Sequence, residues 1–252
     1  MGFKKSVLIG AGLVAFAIAS PAVAAGGKAH WAYEGATGPK AWGKLDKSYR
    51  ACGAGVQQSP IDLQHDIGAK VPALSLHWKP VQLGWVVNNG HTIQVNTPKA
   101  GYMTLGGARY DLLQFHFHQK SEHKIGGKQY PMEVHFVHKA AKGGGLAVIG
   151  VMLAEGAANS VLASIWKMLP QHEGEMLNEA SVDLKGLLPK SAASFRYSGS
   201  LTTPPCTEIV SWTVMKAPVS LSSGQIKAFG HLFSNNFRPI QPQNRRYILS
   251  GG

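Results

Sequence analysis

Five short runs of the sequence alternate apolar and polar residues, and this pattern constrains the fold more than any other feature. Alternation with a period of two is typical of a β-strand that has one face in the core. Gly, Pro and Asn residues, which form turns, lie between the runs. The pattern therefore predicts one sheet rich in antiparallel strands. The runs span residues 85–96, 110–119, 132–139, 145–154 and 208–215.

Two further segments, residues 160–170 and 222–235, have apolar residues at helical spacing. The first ends at Pro170, a residue that cannot continue a helix. No linker, internal repeat or composition shift divides residues 26–252. The sequence thus predicts a single mostly β (α+β) domain over residues 26–252, with a few short helices around the sheet.

The first 25 residues predict a signal peptide. Two lysines precede an apolar run over residues 7–19, and the small residues 22–24 form a cleavage site. The apolar run is shorter than a usual membrane span, and an uncleaved anchor is the alternative. Cleavage after Ala24 or Ala25 predicts an exported protein, periplasmic or extracellular, with no transmembrane segment.

The sequence contains only two cysteines, Cys52 and Cys206. In an exported protein a lone pair of cysteines predicts a disulfide. Two buried thiols are the alternative. The bridge would close a long loop, because the two cysteines lie far apart in the chain.

The formal charge of +12 comes from 25 basic and 13 acidic residues. It falls to +10 when the two lysines of the signal peptide are removed. The basic residues are scattered, and the one late basic pair is Arg245-Arg246. This distribution argues against nucleic acid as a partner and favours a weak general attraction for anions.

Two of the predicted strands carry histidines on one face. Side chains alternate along a strand, so Gln114, His116 and His118 share a face of the run 110–119. In the run 132–139, Glu133 and His135 share a face in the same way. Phe115 and the other residues between them belong to the opposite, core-facing side.

Three histidines and a water form the open tetrahedral site of a catalytic zinc, so we predict a zinc site at His116, His118 and His135. A ligand histidine also needs a hydrogen bond to its second ring nitrogen. Gln114 and Glu133 each precede a histidine by two residues and are natural partners. His123 and His138 fall off this face and are predicted to be structural.

The same stretch leaves a rival interpretation. An HxH pair followed by Glu122 also begins a cupin metal motif, in which the glutamate itself binds the metal. The glycine that this motif requires comes too early, at Gly126, and the second cupin motif is absent.

The chain resembles the α-class carbonic anhydrases, specifically the exported bacterial type, over nearly all of its mature length. Seven blocks in the family's order carry the resemblance. They are HWAYEG (30–35), QQSPIDL (57–63), NNGHTIQV (88–95), LLQFHFHQKSEH (112–123), YPMEVHFVH (130–138), YSGSLTTPPCTEIVSW (197–212) and FRPIQPQN (237–244). The resemblance implies a twisted, mainly antiparallel central sheet. It also implies a carbonate dehydratase, a lyase that hydrates carbon dioxide reversibly to bicarbonate and a proton, with Zn²⁺ as cofactor.

The resemblance assigns roles to individual residues. Thr202 resembles the residue that orients the attacking oxygen, and Glu122 resembles the carboxylate that accepts the Thr202 hydroxyl proton. Glu122 is then a hydrogen-bond partner and not a ligand. His91 resembles the proton shuttle, and Tyr33 resembles a member of the water network. Three histidines match the zinc ligands and two residues match their partners, namely His116, His118, His135, Gln114 and Glu133.

The resemblance also implies a site for carbon dioxide and bicarbonate. Thr203 matches a residue that contacts bicarbonate. The apolar wall for carbon dioxide matches Val137, Val148, Leu201 and Trp212. Cis peptide bonds are implied before Pro60 and Pro205, and Lys120 stands where bacterial relatives often have proline.

Two points stay open at the level of sequence. Bacterial members often form dimers, so a homodimer is compatible with the resemblance, although no residue proves it. A zinc-holding binding module without turnover would need the same histidines. Such a module gives no reason for the apolar wall or for the pairing of Thr202 with Glu122.

Overall fold

A computed structural model of the chain describes residues 29–82, 86–167, 169–177 and 181–252. The predicted signal peptide lies outside these residues. Within them, no helix combines the length and the hydropathy needed to cross a bilayer.

The described residues form eighteen strands and four short α-helices. The helices are α1 (Trp42–Leu45), α2 (Ala51–Ala54), α3 (Ser160–Trp166) and α4 (Ser223–Gly230). The strands are β1 (Asp62–Leu63), β2 (Ile67–Gly68), β3 (Leu74–Trp78), β4 (Val81–Gln82), β5 (Val86–Asn88), β6 (Ile93–Asn96), β7 (Gly101–Leu105), β8 (Ala108–Gln119), β9 (Lys124–Ile125), β10 (Lys128–Gln129), β11 (Met132–Ala140), β12 (Leu146–Glu155), β13 (Met176–Leu177), β14 (Ser181–Val182), β15 (Ser194–Gly199), β16 (Val210–Met215), β17 (Val219–Leu221) and β18 (Leu249–Gly251).

One large sheet dominates the fold, in the order β13-β5-β6-β8-β11-β12-β16-β15-β18-β2. Most neighbours are antiparallel, whereas β12 with β16 and β18 with β2 are parallel. β17 also pairs with β12, and β7 joins β3 to β8. Two small sheets, β1-β9-β10 and β14-β4, complete the β structure. The predicted fold class, a mainly antiparallel sheet with peripheral helices, is confirmed.

The predicted runs correspond closely to observed strands. Four of them become β8, β11, β12 and β16, and the run 85–96 becomes the hairpin of β5 and β6. Both predicted helices are shorter than expected, since α3 ends before Pro170 and α4 ends at Gly230. A capping box of Ser222 and Gln225 fixes the start of α4. Short strands such as β2 and β9 were not predicted, because two residues carry no periodicity.

The centre of the sheet has two chemically different faces. On one face Phe115, Phe117 and Phe136 are fully buried. Helices α3 and α4 cover this face, with Trp166 at 4.8 Å and Phe229 at 6.1 Å from Phe117 between ring centroids. This dry core holds β8 and β11 rigidly, so that the residues of the opposite face are positioned by the sheet.

The predicted disulfide between Cys52 and Cys206 is formed. Both cysteines are buried in a small cluster with Trp42 and Tyr49. The bridge ties α2 to the loop after β15. Cis peptide bonds precede Pro60 and Pro205, as the family resemblance implies, and a third cis bond precedes Lys120.

Removing the disulfide should lower the free energy of unfolding. The bridge spans a sequence separation of 154 residues, and the chain-entropy relation then gives a stabilisation of about 3–5 kcal/mol. We expect the double variant Cys52→Ser/Cys206→Ser to lose this amount in urea unfolding followed by circular dichroism. An unchanged midpoint and slope would show that the bridge contributes nothing.

Candidate metal centre

The register between β8 and β11 brings the three predicted ligand histidines together. His116 pairs directly with His135, and His118 pairs with Glu133. Residues that face each other across antiparallel strands have side chains about 5 Å apart on the same face. One ring nitrogen from each of His116, His118 and His135 therefore lies within 4.8 Å of the others.

Each histidine uses one ring nitrogen for a hydrogen bond and keeps the other free. His116 Nδ1 donates to Gln114 Oε1 at 2.9 Å, as predicted. His135 Nε2 donates to Glu133 Oε1 at 2.8 Å, also as predicted. These bonds place the lone pairs of His116 Nε2 and His135 Nδ1 toward the shared space.

The partner of His118 was not predicted. Its Nδ1 donates to the backbone carbonyl of Asn236 at 2.7 Å. No side-chain pattern could have indicated this bond, since any residue offers a carbonyl and Asn236 lies 118 positions away. The Asn236 side chain adds a second contact, because its Oδ1 accepts from the Gln119 backbone N–H.

The donor set fits a metal that prefers imidazole, such as zinc. His118 Nε2 and Glu122 Oε2 are buried atoms without a hydrogen-bond partner among the described residues. A buried polar atom without a partner is costly unless something binds it. His118 Nε2 is one of the three converging nitrogens, so a cation at this point satisfies it.

Glu133 is the hub of the surrounding hydrogen bonds. Its Oε1 accepts from His123 Nδ1 and His135 Nε2, each at 2.8 Å. Its Oε2 accepts from the backbone N–H groups of Glu122 and His123. His123 Nε2 in turn contacts the Tyr197 hydroxyl at 2.6 Å. His123, Glu133 and His135 could together be taken for a second metal site, but their contacts are ordinary hydrogen bonds.

The electrostatics favour neutral imidazoles at His116 and His118 around an ionised Glu133. At His135, burial lowers the pKa, but the charge and hydrogen bond of Glu133 outweigh it and raise that pKa. Burial lowers the pKa of His116 well below its usual value, and the neighbouring His118 and His135 lower it further. Burial also lowers the pKa of His118. Burial alone raises the pKa of Glu133, but the charges of His123 and His135 outweigh it and hold that pKa well below the ordinary range. Neutral imidazoles are the form that binds metal.

The structure does not form the predicted hydrogen bond from Thr202 to Glu122. Glu122 Oε1 accepts from the Arg238 backbone N–H at 2.8 Å. Glu122 Oε2 faces the imidazoles instead, at 3.5 Å from His118 Nε2 and 3.9 Å from His135 Nδ1. The carboxylate is turned toward the histidines because the backbone of the Arg238 segment holds its other oxygen.

The predicted apolar wall forms a row beside the histidines. Val137 pairs with Val148 across β11 and β12, and Val148 pairs with Trp212 across β12 and β16. Val137 lies two residues after His135 and therefore shares its face. Leu201 packs against the same cluster. Thr203 is half-buried, and its carbonyl accepts from the Cys206 N–H in the disulfide-bonded loop.

His91 lies in the turn of the β5–β6 hairpin. The Asn89 side chain accepts from the N–H groups of His91 and Thr92 and fixes this turn. The His91 ring stacks on Trp31 with centroids 3.7 Å apart. Burial lowers its pKa, the nearby His30 lowers it further, and Glu173 opposes both. Tyr33 lies edge-on at 6.5 Å, so these rings form one group.

Gly150 is a residue of this site that sequence reasoning missed. It lies on β12 directly opposite His135. A Cβ at this position would stand 2.8 Å from Glu133 Oε1, closer than two such atoms approach in proteins. The glycine therefore makes room for the carboxylate that aims His135.

Comparison with known proteins gives a consistent result. A sequence model of the eukaryotic-type carbonic anhydrase family matches residues 37–251. A carbonic anhydrase of Neisseria gonorrhoeae is 42% identical over 230 residues, covering 90% of each chain. One from a Nostoc species is 41% identical over 227 residues, covering 87% of this chain and 85% of that one. The solved α-carbonic anhydrase of Thermovibrio ammonificans, in complex with the inhibitor sulfanilamide, is 42% identical. It has a TM-score of 0.85 over 88% of this chain and 100% of that chain.

Substituting Gly150 with alanine should weaken metal binding without unfolding the protein. Glu133 cannot move away, because four donors hold its carboxylate. We expect zinc affinity, measured by competition with a chelator, to fall about 10- to 100-fold, as for other losses of a ligand's supporting hydrogen bond. Gly145→Ala is the control, since its Cβ would lie 3.8 Å from the nearest atom. Equal affinities in the two variants would contradict the role of Gly150.

Proposed function

The chain belongs to the eukaryotic-type, or α-class, carbonic anhydrase family, whose zinc enzymes hydrate carbon dioxide reversibly, and we propose which of its residues perform this reaction. One observation carries the proposal. One ring nitrogen of each of three histidines points into a shared space, and the other ring nitrogen of each is held by a hydrogen bond. His116, His118 and His135 hold the zinc in this proposal. Gln114, Glu133 and the Asn236 carbonyl aim the rings.

Zinc bound by three histidines lowers the pKa of its water to about 7 and so supplies a nucleophile at neutral pH, an effect for which carbonic anhydrase is the standard example. The protein's part is to keep the ligands neutral and fixed. Burial keeps His116 and His118 neutral, and the ionised Glu133 accepts the Nε2 proton of His135.

Thr202 orients the attacking oxygen in this proposal, and Glu122 is the acceptor for its hydroxyl proton. The structure does not form this bond, so Glu122 Oε2 or the Thr202 hydroxyl has to turn toward the other. A threonine whose proton is held by a carboxylate can only accept a hydrogen bond from the nucleophile. Two observations support these roles. Both side chains are buried, and Glu122 Oε2 makes no hydrogen bond among the described residues, so it is free to accept one.

The apolar row next to the histidines is the surface for carbon dioxide. This substrate is apolar and needs a dry wall rather than a polar clamp. Val148 and Trp212 are each 3% exposed, and Val137 is 9% exposed, so the row is largely shielded from water. Leu201 extends the wall, and Thr203 contacts the bicarbonate product.

His91 carries the proton away after each turnover. Histidine titrates near neutral pH, so it can accept a proton and then release it to solvent. The ring is half-buried on Trp31 in a surface hairpin. The lowered pKa keeps it neutral and ready to accept at pH 7. Tyr33 is half-buried, and burial and the charge of Glu122 raise its pKa well above the usual value, so it keeps its proton and takes part in the water network.

The chain is exported in this proposal, through a signal peptide in residues 1–25. The disulfide supports an oxidising compartment. A periplasmic or extracellular location and a homodimer are further predictions.

The ligand set predicts one zinc per chain. His118→Ala should lose most of its zinc and nearly all hydration activity, because two imidazoles cannot complete the site. Metal content by mass spectrometry and stopped-flow hydration of carbon dioxide measure the two effects. The exposed His77 gives a matched control, and His77→Ala should keep both properties. If Glu122→Gln lost the metal while His135→Ala kept it, the glutamate would be the ligand.

The shuttle role predicts a dependence on buffer. His91→Ala should keep its zinc and fold but turn over on the order of 100-fold more slowly in dilute buffer, the lower end of the range for a positioned proton acceptor. Added imidazole should restore the rate, since a free base replaces the missing one. A His91→Ala variant with the unaltered rate in dilute buffer would mean that another base carries the proton.

A further inference from the structure

Apart from the histidine site, a cavity lies toward one end of the large sheet, at strands β15, β16 and β18. It encloses about 510 Å³ and contains none of the ligand histidines. It shares Trp212 with the wall described above. Gln57, Tyr197, Arg246 and Tyr247 belong to its polar lining, and so do Arg196, Ser198, Ser211 and Arg245. The mechanism of carbon dioxide hydration uses none of these last four residues.

Arg196 is a half-buried cation without an anionic partner. Its Nε donates to Ser194 Oγ at 3.2 Å and its Nη1 donates to Thr213 Oγ1 at 2.6 Å. Both acceptors are neutral, and Arg196 belongs to no ion pair within the described residues. Burial lowers its pKa, with no carboxylate to oppose that effect. Withdrawing a guanidinium from water is unfavourable unless an anion compensates it.

Other polar groups of the lining add donors, and the Gln57 amide adds a donor and an acceptor. The hydroxyls of Ser198 and Ser211 make no hydrogen bond among the described residues, and Arg245 is exposed and unpaired there. No carboxylate is among the residues that line the cavity. Among the described residues the lining thus offers several donors and no carboxylate, while Glu208 lies next to it and accepts from the Gln57 backbone N–H at 2.6 Å.

Arg246 differs from Arg196 and Arg245 because it bonds to backbone carbonyls. Its three donor nitrogens go to the carbonyls of Gln243, Ser198 and Pro242. Glu208 supplies a negative charge near it. Arg246 therefore fixes the chain segment that carries Arg245, and its bonds to the backbone leave it fewer free donors for a ligand than Arg245 has.

The other part of the lining is apolar and includes Pro72, Leu105 and Leu249. Tyr247 stands at the rim and is 74% exposed, an unusual position for an aromatic ring that contacts no other ring among the described residues. The volume is in the range of small-molecule sites and exceeds what a single inorganic anion fills.

We propose that this cavity binds an organic oxyanion, whose phosphate- or carboxylate-type head contacts Arg196 and Arg245 and whose apolar or aromatic body packs on Tyr247. A guanidinium and hydroxyls recognise such heads through charge-assisted hydrogen bonds. The site is separate from the zinc site and does not rest on the roles given to residues there.

Calorimetric titration of the zinc-loaded protein with phenyl phosphate and with inorganic phosphate tests the proposal. Arg196→Gln should bind both at least about 10-fold more weakly, as expected for loss of a charge-assisted hydrogen bond. Arg50→Gln is the matched control, because it removes the same charge from an exposed position elsewhere, and it should bind like the unaltered protein. Tyr247→Ala should weaken binding of phenyl phosphate only.

Three results would overturn the site. The first is equal weakening of binding in Arg196→Gln and Arg50→Gln. The second is a dissociation constant for phenyl phosphate above about 1 mM. The third is inhibition of hydration that parallels phosphate binding and is unchanged by Arg196→Gln. The last would place the anion at the zinc. If Arg196→Gln does not fold, the exposed Arg245→Gln decides in its place, with the same weakening expected.

Discussion

The pairing register of β8 against β11 is the constraint on which the rest of the structure depends. His116 faces His135 and His118 faces Glu133 only in this register. A slip of one residue would turn every side chain of a strand to the other face. It would then bury the histidines in the core and expose Phe115, Phe117 and Phe136. The hydrophobic core beneath helices α3 and α4 therefore fixes the metal site, although it contains none of its atoms.

A second layer of order comes from hydrogen bonds that reach across the chain. Glu133 links His135 to His123, His123 contacts Tyr197, and Tyr197 donates to Ser59. The Arg238 segment holds Glu122 from 116 residues away. These bonds choose the tautomers of the imidazoles, which a sheet alone cannot do. The arrangement also needs the absence of a side chain at Gly150, because a Cβ there would collide with the Glu133 carboxylate.

The histidine site on β8 and β11 and the cavity at β15, β16 and β18 differ in the charge and polarity of the side chains that line them. Neutral imidazoles and an apolar row surround the zinc site, where an apolar substrate meets a nucleophile. The cavity at β15, β16 and β18 instead carries guanidinium groups and hydroxyls without acidic neighbours in its lining. The basic residues behind the formal charge of +12 are scattered along the sequence, but three of them, Arg196, Arg245 and Arg246, line this cavity together. Of the pair Arg245-Arg246, Arg246 fixes the C-terminal segment through bonds to backbone carbonyls, and Arg245 has a role only in the anion site proposed for this cavity.

The sequence by itself determined the alternating strands, the common face of His116 and His118, and the partners Gln114 and Glu133, because these follow from spacing along one strand. It also determined the cysteine pair, since only two cysteines exist. Only the tertiary structure decided what sequence spacing cannot express. The Asn236 carbonyl bonds to His118 across 118 positions, Gly150 acts through the space it leaves, and Glu122 Oε2 faces the histidines and not Thr202. Each of these depends on elements that meet only after folding, because hydrogen bonds and excluded volume act between neighbours in space.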